Sequence, residues 1–168
     1  LPTQYTISAL RFRSPNDGWA VGERGTIVHW NGNSWQRSDG LAGISENFWD
    51  IALTNDNDGW IVGNKGSILR WNGTTWSAVS SPTMQNLLGV SFTTSGEGWV
   101  VGENGTMLQW DPIAQKWLSS QKITNEILYD VLAVGAGDVW AVGSAGTILH
   151  WNGSVWTKET IPTDRALF

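Results

Sequence analysis

Twelve of the 13 tryptophans in this 168-residue chain stand on a grid. Trp19, Trp60, Trp99 and Trp140 are separated by 41, 39 and 41 residues, and Trp30, Trp71, Trp110 and Trp151 repeat those spacings. A third set, Trp35, Trp76, Trp117 and Trp156, is spaced by 41, 41 and 39, and only Trp49 lies off the grid. A fixed period in this range is the mark of a solenoid, a propeller or an array, in which small units bury their apolar faces against one another. The chain is therefore four copies of one unit.

The residues around the tryptophans repeat as well. Asp17-Gly18-Trp19-Ala20-Val21-Gly22 returns as Asp58-Gly59-Trp60-Ile61-Val62-Gly63, as Glu97-Gly98-Trp99-Val100-Val101-Gly102 and as Asp138-Val139-Trp140-Ala141-Val142-Gly143. Each copy then runs through two variable residues into Gly-Thr or Gly-Ser, two aliphatics, a polar residue and Trp. Three copies continue as Trp-Asn-Gly; the third replaces that turn with Asp111 to Lys116. Every repeat thus holds four short apolar runs between Gly, Asn, Asp and Pro, with no sustained 3.6-residue period, which is the pattern of strands. Asn-Gly between the third and fourth runs is a strong hairpin signal. Four strands in about 40 residues predict an all-β chain, a β-propeller of four-stranded antiparallel blades. The blades are expected near 5–37, 46–79, 85–119 and 126–158, with inner strands A at 7–12, 48–53, 87–92 and 128–133.

Strand-pairing arithmetic then gives the grid a role. If Gly22 to Gly25 form the B–C turn, Val21 faces Thr26 and Trp19 faces Val28. Across the C–D turn a two-residue loop pairs Val28 with Trp35, and a four-residue loop pairs Trp30 with Trp35. Either register puts Trp19, Trp30 and Trp35 on one face of the blade, because side chains alternate with period two. That face is expected to pack against the neighbouring blade; stacking on sugars or bases is the alternative.

A longer period overlies the first. Pro2, Pro82 and Pro162 are each followed by Thr and stand 80 residues apart. The even blades instead share Phe48-Trp49-Asp50-Ile51 and Leu128-Tyr129-Asp130-Val131, which suggests duplication of a blade pair. Residues 159–168 read as the lead-in to a fifth inner strand or as an overlap that closes the ring. Leu1 is not an initiator Met, so the sequence reads as a mature or excised piece. Four blades can close alone, or two chains can form a homodimer sharing one eight-bladed ring, which would hide the open edges of the terminal blades.

Composition excludes several classes. Only 15% of residues are charged while 40% are hydrophobic, which does not fit a disordered chain. Ten basic against 15 acidic residues give a net charge of −5, a poor match for nucleic acid or an anionic membrane surface. No apolar run is long enough to span a bilayer as a helix. With no Cys, neither disulfides nor thiolate-bound metal contribute, and an extracytoplasmic or secreted home is permitted.

The run Leu-x-x-Val-x-Phe followed by Asp-Gly-Trp-x-Val-Gly-x-x-Gly-Thr-Ile resembles the blades of photosystem II assembly and stability factor-like propellers, and more widely the bacterial neuraminidase-repeat (Asp-box) superfamily. The resemblance covers nearly the whole chain. It implies a non-enzymatic scaffold that holds a partner protein, although the seven blades of those factors exceed the four found here. The Trp-Asn-Gly-x-x-Trp turns are similar to those of Trp-rich propeller lectins of the tachylectin and tectonin kind. WD-repeat propellers are a poor match, because no Gly-His pair accompanies Trp49-Asp50 or Trp110-Asp111.

Catalysis finds little support. The Asp-box Ser-x-Asp start is missing from the C–D turns, and the three arginines and Tyr–Glu pair that sialidase chemistry needs cannot be assembled. His29 and His150 share one slot, filled elsewhere by Arg70 and Gln109, and read as solvated edge residues rather than metal ligands. Asn72, Asn104 and Asn152 match glycosylation acceptors only through turn composition. No cofactor is expected. The chain reads as a non-catalytic binding scaffold for a protein partner, with a multivalent glycan-binding propeller as the alternative and a sialidase-type hydrolase third. Candidate binding residues are Trp49 and Tyr129, the off-grid aromatics; Asp50 and Asp130 on inner strands; and the variable B–C tips Glu23, Arg24, Asn64, Lys65, Glu103 and Asn104. In this propeller topology the D–A and B–C loops share one face of the ring.

Overall fold

Each Trp-x-Val-Gly run becomes the second strand of a four-stranded antiparallel sheet. A computed structural model describes residues 3–38, 44–160 and 162–168. Blade one is β1 (Ile7–Ser14), β2 (Asp17–Gly22), β3 (Thr26–Trp30) and β4 (Trp35–Arg37). Blade two is β5 (Phe48–Asn55), β6 (Asp58–Gly63), β7 (Ile68–Trp71) and β8 (Trp76–Val79). Blade three is β9 (Leu87–Phe92), β10 (Gly98–Gly102), β11 (Met107–Asp111) and β12 (Lys116–Ser119). Blade four is β13 (Leu128–Gly135), β14 (Asp138–Gly143), β15 (Ile148–Trp151) and β16 (Trp156–Lys158). In every sheet the strands lie in sequence order, as a propeller blade requires. Pro2, on which the two-blade period partly rests, lies outside the described residues.

The C–D register follows the four-residue alternative: Trp30 pairs with Trp35, Trp71 with Trp76, Trp110 with Trp117 and Trp151 with Trp156. In three of these turns the Asn side chain is a structural cap. The Asn31, Asn72 and Asn152 Oδ1 atoms each accept two backbone N–H groups of the turn.

The B–C register differs from expectation by one residue. Gly22 remains in the ladder opposite Thr26, so Val21 pairs with Ile27 and Trp19 with His29, not with Thr26 and Val28. Only Glu23, Arg24 and Gly25 form the loop, which closes because Arg24 and Gly25 both take positive φ, 54° and 68°. A one-residue slip sends every side chain to the other face. Trp19 therefore lies on the face opposite Trp30 and Trp35, and the single Trp-loaded face expected from the sequence is in fact two.

That division is how the blades join. The strand B tryptophan of one blade projects as a knob between the strand C and strand D tryptophans of the next. Trp19 meets Trp71 and Trp76 at 4.8 and 5.4 Å between ring centroids, Trp60 meets Trp110 and Trp117 at 4.5 and 5.2 Å, and Trp99 meets Trp151 and Trp156 at 5.2 and 5.1 Å. Each knob is edge-on to the strand D ring, at 83–88°, an arrangement aromatic quadrupoles favour. Val21, Val62 and Val101, with Ile27, Ile68 and Met107, complete the three inter-blade cores.

Candidate functional site

The inner strands surround a channel whose one end is a cavity of about 520 Å³, lined by residues 7–11 of β1, Trp49 and Asp50 of β5, Leu88 and Asp130. The D–A and B–C loops meet at one face, as expected. Gly25 N–H donates to the Glu46 carbonyl and Asn64 N–H to the Asn47 carbonyl, at 2.8 and 2.9 Å. Asn side chains of the D–A loops reach over the tips, where Asn47 and Asn86 Oδ1 accept the Arg24 and Lys65 amides.

Trp49 stands at this mouth with 37% of its surface exposed, and its indole N–H donates to Asn64 Oδ1 at 2.5 Å. The grid tryptophans of strand B in blades one to three, by contrast, are buried against the next blade. Asp50 alternates to the other side of β5 and is buried. Its Oδ2 accepts the Val90 amide of the next blade at 3.0 Å, and its Oδ1 lies 3.4 Å from the Arg11 guanidinium. Asp130, the matching residue of blade four, is exposed and caps the Val131 amide at 2.8 Å. Tyr129 is half-buried, with its ring 4.7 Å from that of Phe168.

The tips are less uniform. The Arg24 guanidinium lies 5.2 Å over the Tyr5 ring, Lys65 Nζ is 3.4 Å from Glu46, and Asn104 Oδ1 accepts Lys122 Nζ at 2.9 Å. The Glu23 carboxylate accepts the Thr6 amide at 3.3 Å. Glu103 starts the third tip, its N–H on the Asn86 carbonyl. The structure thus gathers Trp49, Asp50, Asp130 and Asn64 around one end of the channel, while the remaining tips are spread over the same face. Nothing in the sequence pairs Arg11, within the first inner strand, with a carboxylate; in the fold its side chain is the cation that answers Asp50.

The histidines are not solvated edge residues. His29 stacks on Trp19 at 4.3 Å and places Nε2 2.6 Å from Asp17 Oδ1; His150 stacks on Trp140 at 4.0 Å with Nε2 3.0 Å from Asp138 Oδ1. Arg70 does the same work in blade two, its guanidinium 4.9 Å over Trp60 and its Nε donating to Asp58 at 2.7 Å. The slot holds the knob tryptophan in place through the acidic residue two before it. Only the paired register of Trp19 with His29 reveals this.

Burial raises the Asp50 carboxyl above its ordinary value, against the Val90 amide and Arg11, which lower it. A carboxyl whose folded value lies above its unfolded one contributes stability at low pH that is lost as pH rises through the folded value. The ionised form at neutral pH is thus a net cost. Asp50→Asn, which keeps an acceptor for the Val90 amide, is expected to melt higher than the parent at pH 7, with the gap closing as pH falls below the ordinary carboxylate range. Thermal melts across pH check this; a lower melting temperature at pH 7 would show that the Arg11 pair outweighs the burial.

A family model described as photosynthesis system II assembly factor YCF48 matches residues 2–72. No curated protein matches the sequence. Among solved structures, YCF48 bound to D1 peptide is similar at 20% identity and a TM-score of 0.54, covering 94% of this chain and 67% of that one. The RRP9 WD40 repeats are similar at 13% identity and a TM-score of 0.77, covering 94% of this chain and 52% of theirs. The computationally designed Ika4 protein is similar at 19% identity and a TM-score of 0.71, covering 89% and 92%. This chain therefore spans about half of the RRP9 propeller and two thirds of the YCF48 chain. At these identities the structures establish the fold, and the family match shows a likeness confined to residues 2–72, fewer than half of the chain.

Proposed function

We propose that this chain is a non-catalytic propeller scaffold that binds a protein partner, taking an extended segment of it at the channel mouth. The observation that carries the reading is the pairing at that mouth of an exposed tryptophan outside the packing grid with a buried carboxylate, both lining one cavity. An exposed aromatic ring beside polar groups on a rigid frame is what a binding site needs. Trp49 offers a ring for an apolar side chain, and Asp50 with the exposed Asp130 offers negative charge for a basic one. Two findings support a protein ligand: the matching family is described as an assembly factor, and one similar structure is YCF48 bound to D1 peptide. Glu23, Arg24, Asn64, Lys65, Glu103 and Asn104 extend the contact surface around the mouth, and Tyr129 marks its blade-four side.

A displayed peptide library selected on the full chain tests the reading. Selected peptides are expected to carry a basic residue near an apolar one, and Trp49→Ala should weaken them at least ~10-fold, about 1.4 kcal/mol. The same variant should leave the melting temperature nearly unchanged. If no peptide is enriched, or if enriched peptides bind Trp49→Ala equally well, the mouth is not the site. Glycan-array binding lost in a folded Trp30→Ala or Trp71→Ala variant would favour the lectin reading instead.

A further inference from the structure

The same knob-and-socket joint is made three times within the chain, and its two halves are left unmatched at the ends. Trp19, Trp60 and Trp99 are 3%, 0% and 1% exposed, each seated in the socket of the following blade; Trp140 is 36% exposed. Beside it, Val142 and Ile148 are half-buried where Val21, Val62, Val101, Ile27, Ile68 and Met107 are buried. At the other end, blade one presents the empty socket. Trp30 and Trp35 face each other at 5.8 Å with no strand B tryptophan against them among the described residues, and Trp35 is half-buried where Trp76, Trp117 and Trp156 are buried. Leu10 of β1 is 52% exposed although Ile51, in the same register position of β5, is 0%. Among the described residues, no hydrophobic core joins blade one to blade four.

The knob is also ready-made. Trp140 is stacked on His150, as Trp19 is on His29, and its indole N–H is held by Asp138 Oδ1 at 2.7 Å, a bond the seated Trp19 does not make. Little side-chain freedom remains to be lost on docking.

We infer that the blade-four face of one chain docks on the blade-one face of a second copy, Trp140 entering between the partner copy's tryptophans of strands C and D. The occupant is a second copy because these two surfaces are complementary halves of a joint this sequence already forms three times. Such contact is heterologous, and two chains close it by making it twice, once at each junction. Two closed junctions give a ring of eight blades with no exposed blade face.

The tail states one condition. Arg165 accepts the Gly146 amide at 2.8 Å through its carbonyl, as Glu46 accepts Gly25 and Glu126 accepts Gly105. Residues 163–165 thus lie along blade four on the track that a following blade's lead-in uses. The incoming copy's residues 3–6 need the same track, so one lead-in replaces the other. Each is a Thr-containing copy of the same repeat segment, so the exchange conserves the backbone bonds.

The test is the solution mass of the full 168-residue chain by light scattering. A particle of two chains is expected, and Trp140→Glu and Leu10→Asp should each give single chains with unchanged circular dichroism. Mixing the two variants should restore two-chain particles, because one junction then pairs an unaltered blade-four face with an unaltered blade-one face. Single chains at every concentration of the unaltered protein would overturn the inference and leave these faces to a further blade or another protein. A dimer that Leu10→Asp leaves intact would overturn it equally, since only a face-to-face contact of two Trp140 surfaces ignores blade one.

Discussion

Replacing Trp60 with Ala is expected to cost about 3–5 kcal/mol, a large part of the 5–15 kcal/mol that holds most domains folded. Trp60 is fully buried between blades two and three. It touches Trp110 and Trp117 of the socket, stacks on Phe92 at 5.6 Å and 15°, and carries Arg70 on its ring. These neighbours sit on strands whose positions are fixed by their own ladders, so they cannot collapse into the space a methyl would leave. The cost is therefore transfer and cavity together. Because each blade touches only its neighbours, stability is close to a sum of blade and joint terms. Loss of the central joint should uncouple the two halves of the chain. Chemical denaturation is expected to show both a lower midpoint and a broader or two-step transition. A loss under about 1 kcal/mol would mean the ring is not the element that joins the blades.

The importance of that ring was visible in the spacing of the tryptophans, but its direction was not. Period and turn residues place all sixteen strands and the start of every inner strand. Which face of a blade Trp19 occupies depends on whether Gly22 belongs to the turn or to the ladder, a difference of one residue. The local sequence Gly-Glu-Arg-Gly-Thr fits either choice. The deciding fact is that Arg24 accepts a left-handed conformation, as Lys65, Asn104 and Ala145 do in their blades, and four such different side chains carry no common signal. The tertiary frame imposes the conformation on them.

The mouth of the channel was legible for a different reason. Trp49, Tyr129, Asp50 and Asp130 break the repeat, and a residue that breaks a repeat is conspicuous in the sequence. Arg11 breaks it too, where the other blades have Ala52, Ser91 and Leu132, yet its link to Asp50 spans 39 positions and two blades, so only the packing of β1 beside β5 connects them. The unmatched ends were hidden for the opposite cause. Trp140 and Leu10 obey the repeat perfectly, and nothing local distinguishes a covered copy from an uncovered one.

Gly102→Ala is expected to be at least as damaging as the loss of a tryptophan joint, about 3 kcal/mol or more, although only a methyl group is added. Its φ of −173° is extended backbone that alanine adopts freely, so conformational freedom is not what the position demands. The demand is space. A Cβ there would lie 2.1 Å from the Asn86 carbonyl oxygen and 3.0 Å from Leu87 Cα. That carbonyl cannot swing aside, because it accepts the Glu103 amide at 2.9 Å and so ties the D–A loop to the tip of its own blade. Gly22, Gly63 and Gly143 meet the Thr6, Asn47 and Ile127 carbonyls in the same way, at 1.9, 2.4 and 2.1 Å. The glycine that ends every Trp-x-Val-Gly run is thus the contact that lets each inner strand start beside strand B, and with it the face on which the channel mouth opens. Gly135→Ala is the control: nothing lies within 4 Å of its added Cβ, and no positive φ is involved. It should move the unfolding midpoint little, or raise it slightly by restricting the unfolded chain. Equal losses from the two substitutions, read from denaturation midpoints, would refute the close approach as the reason for the glycine.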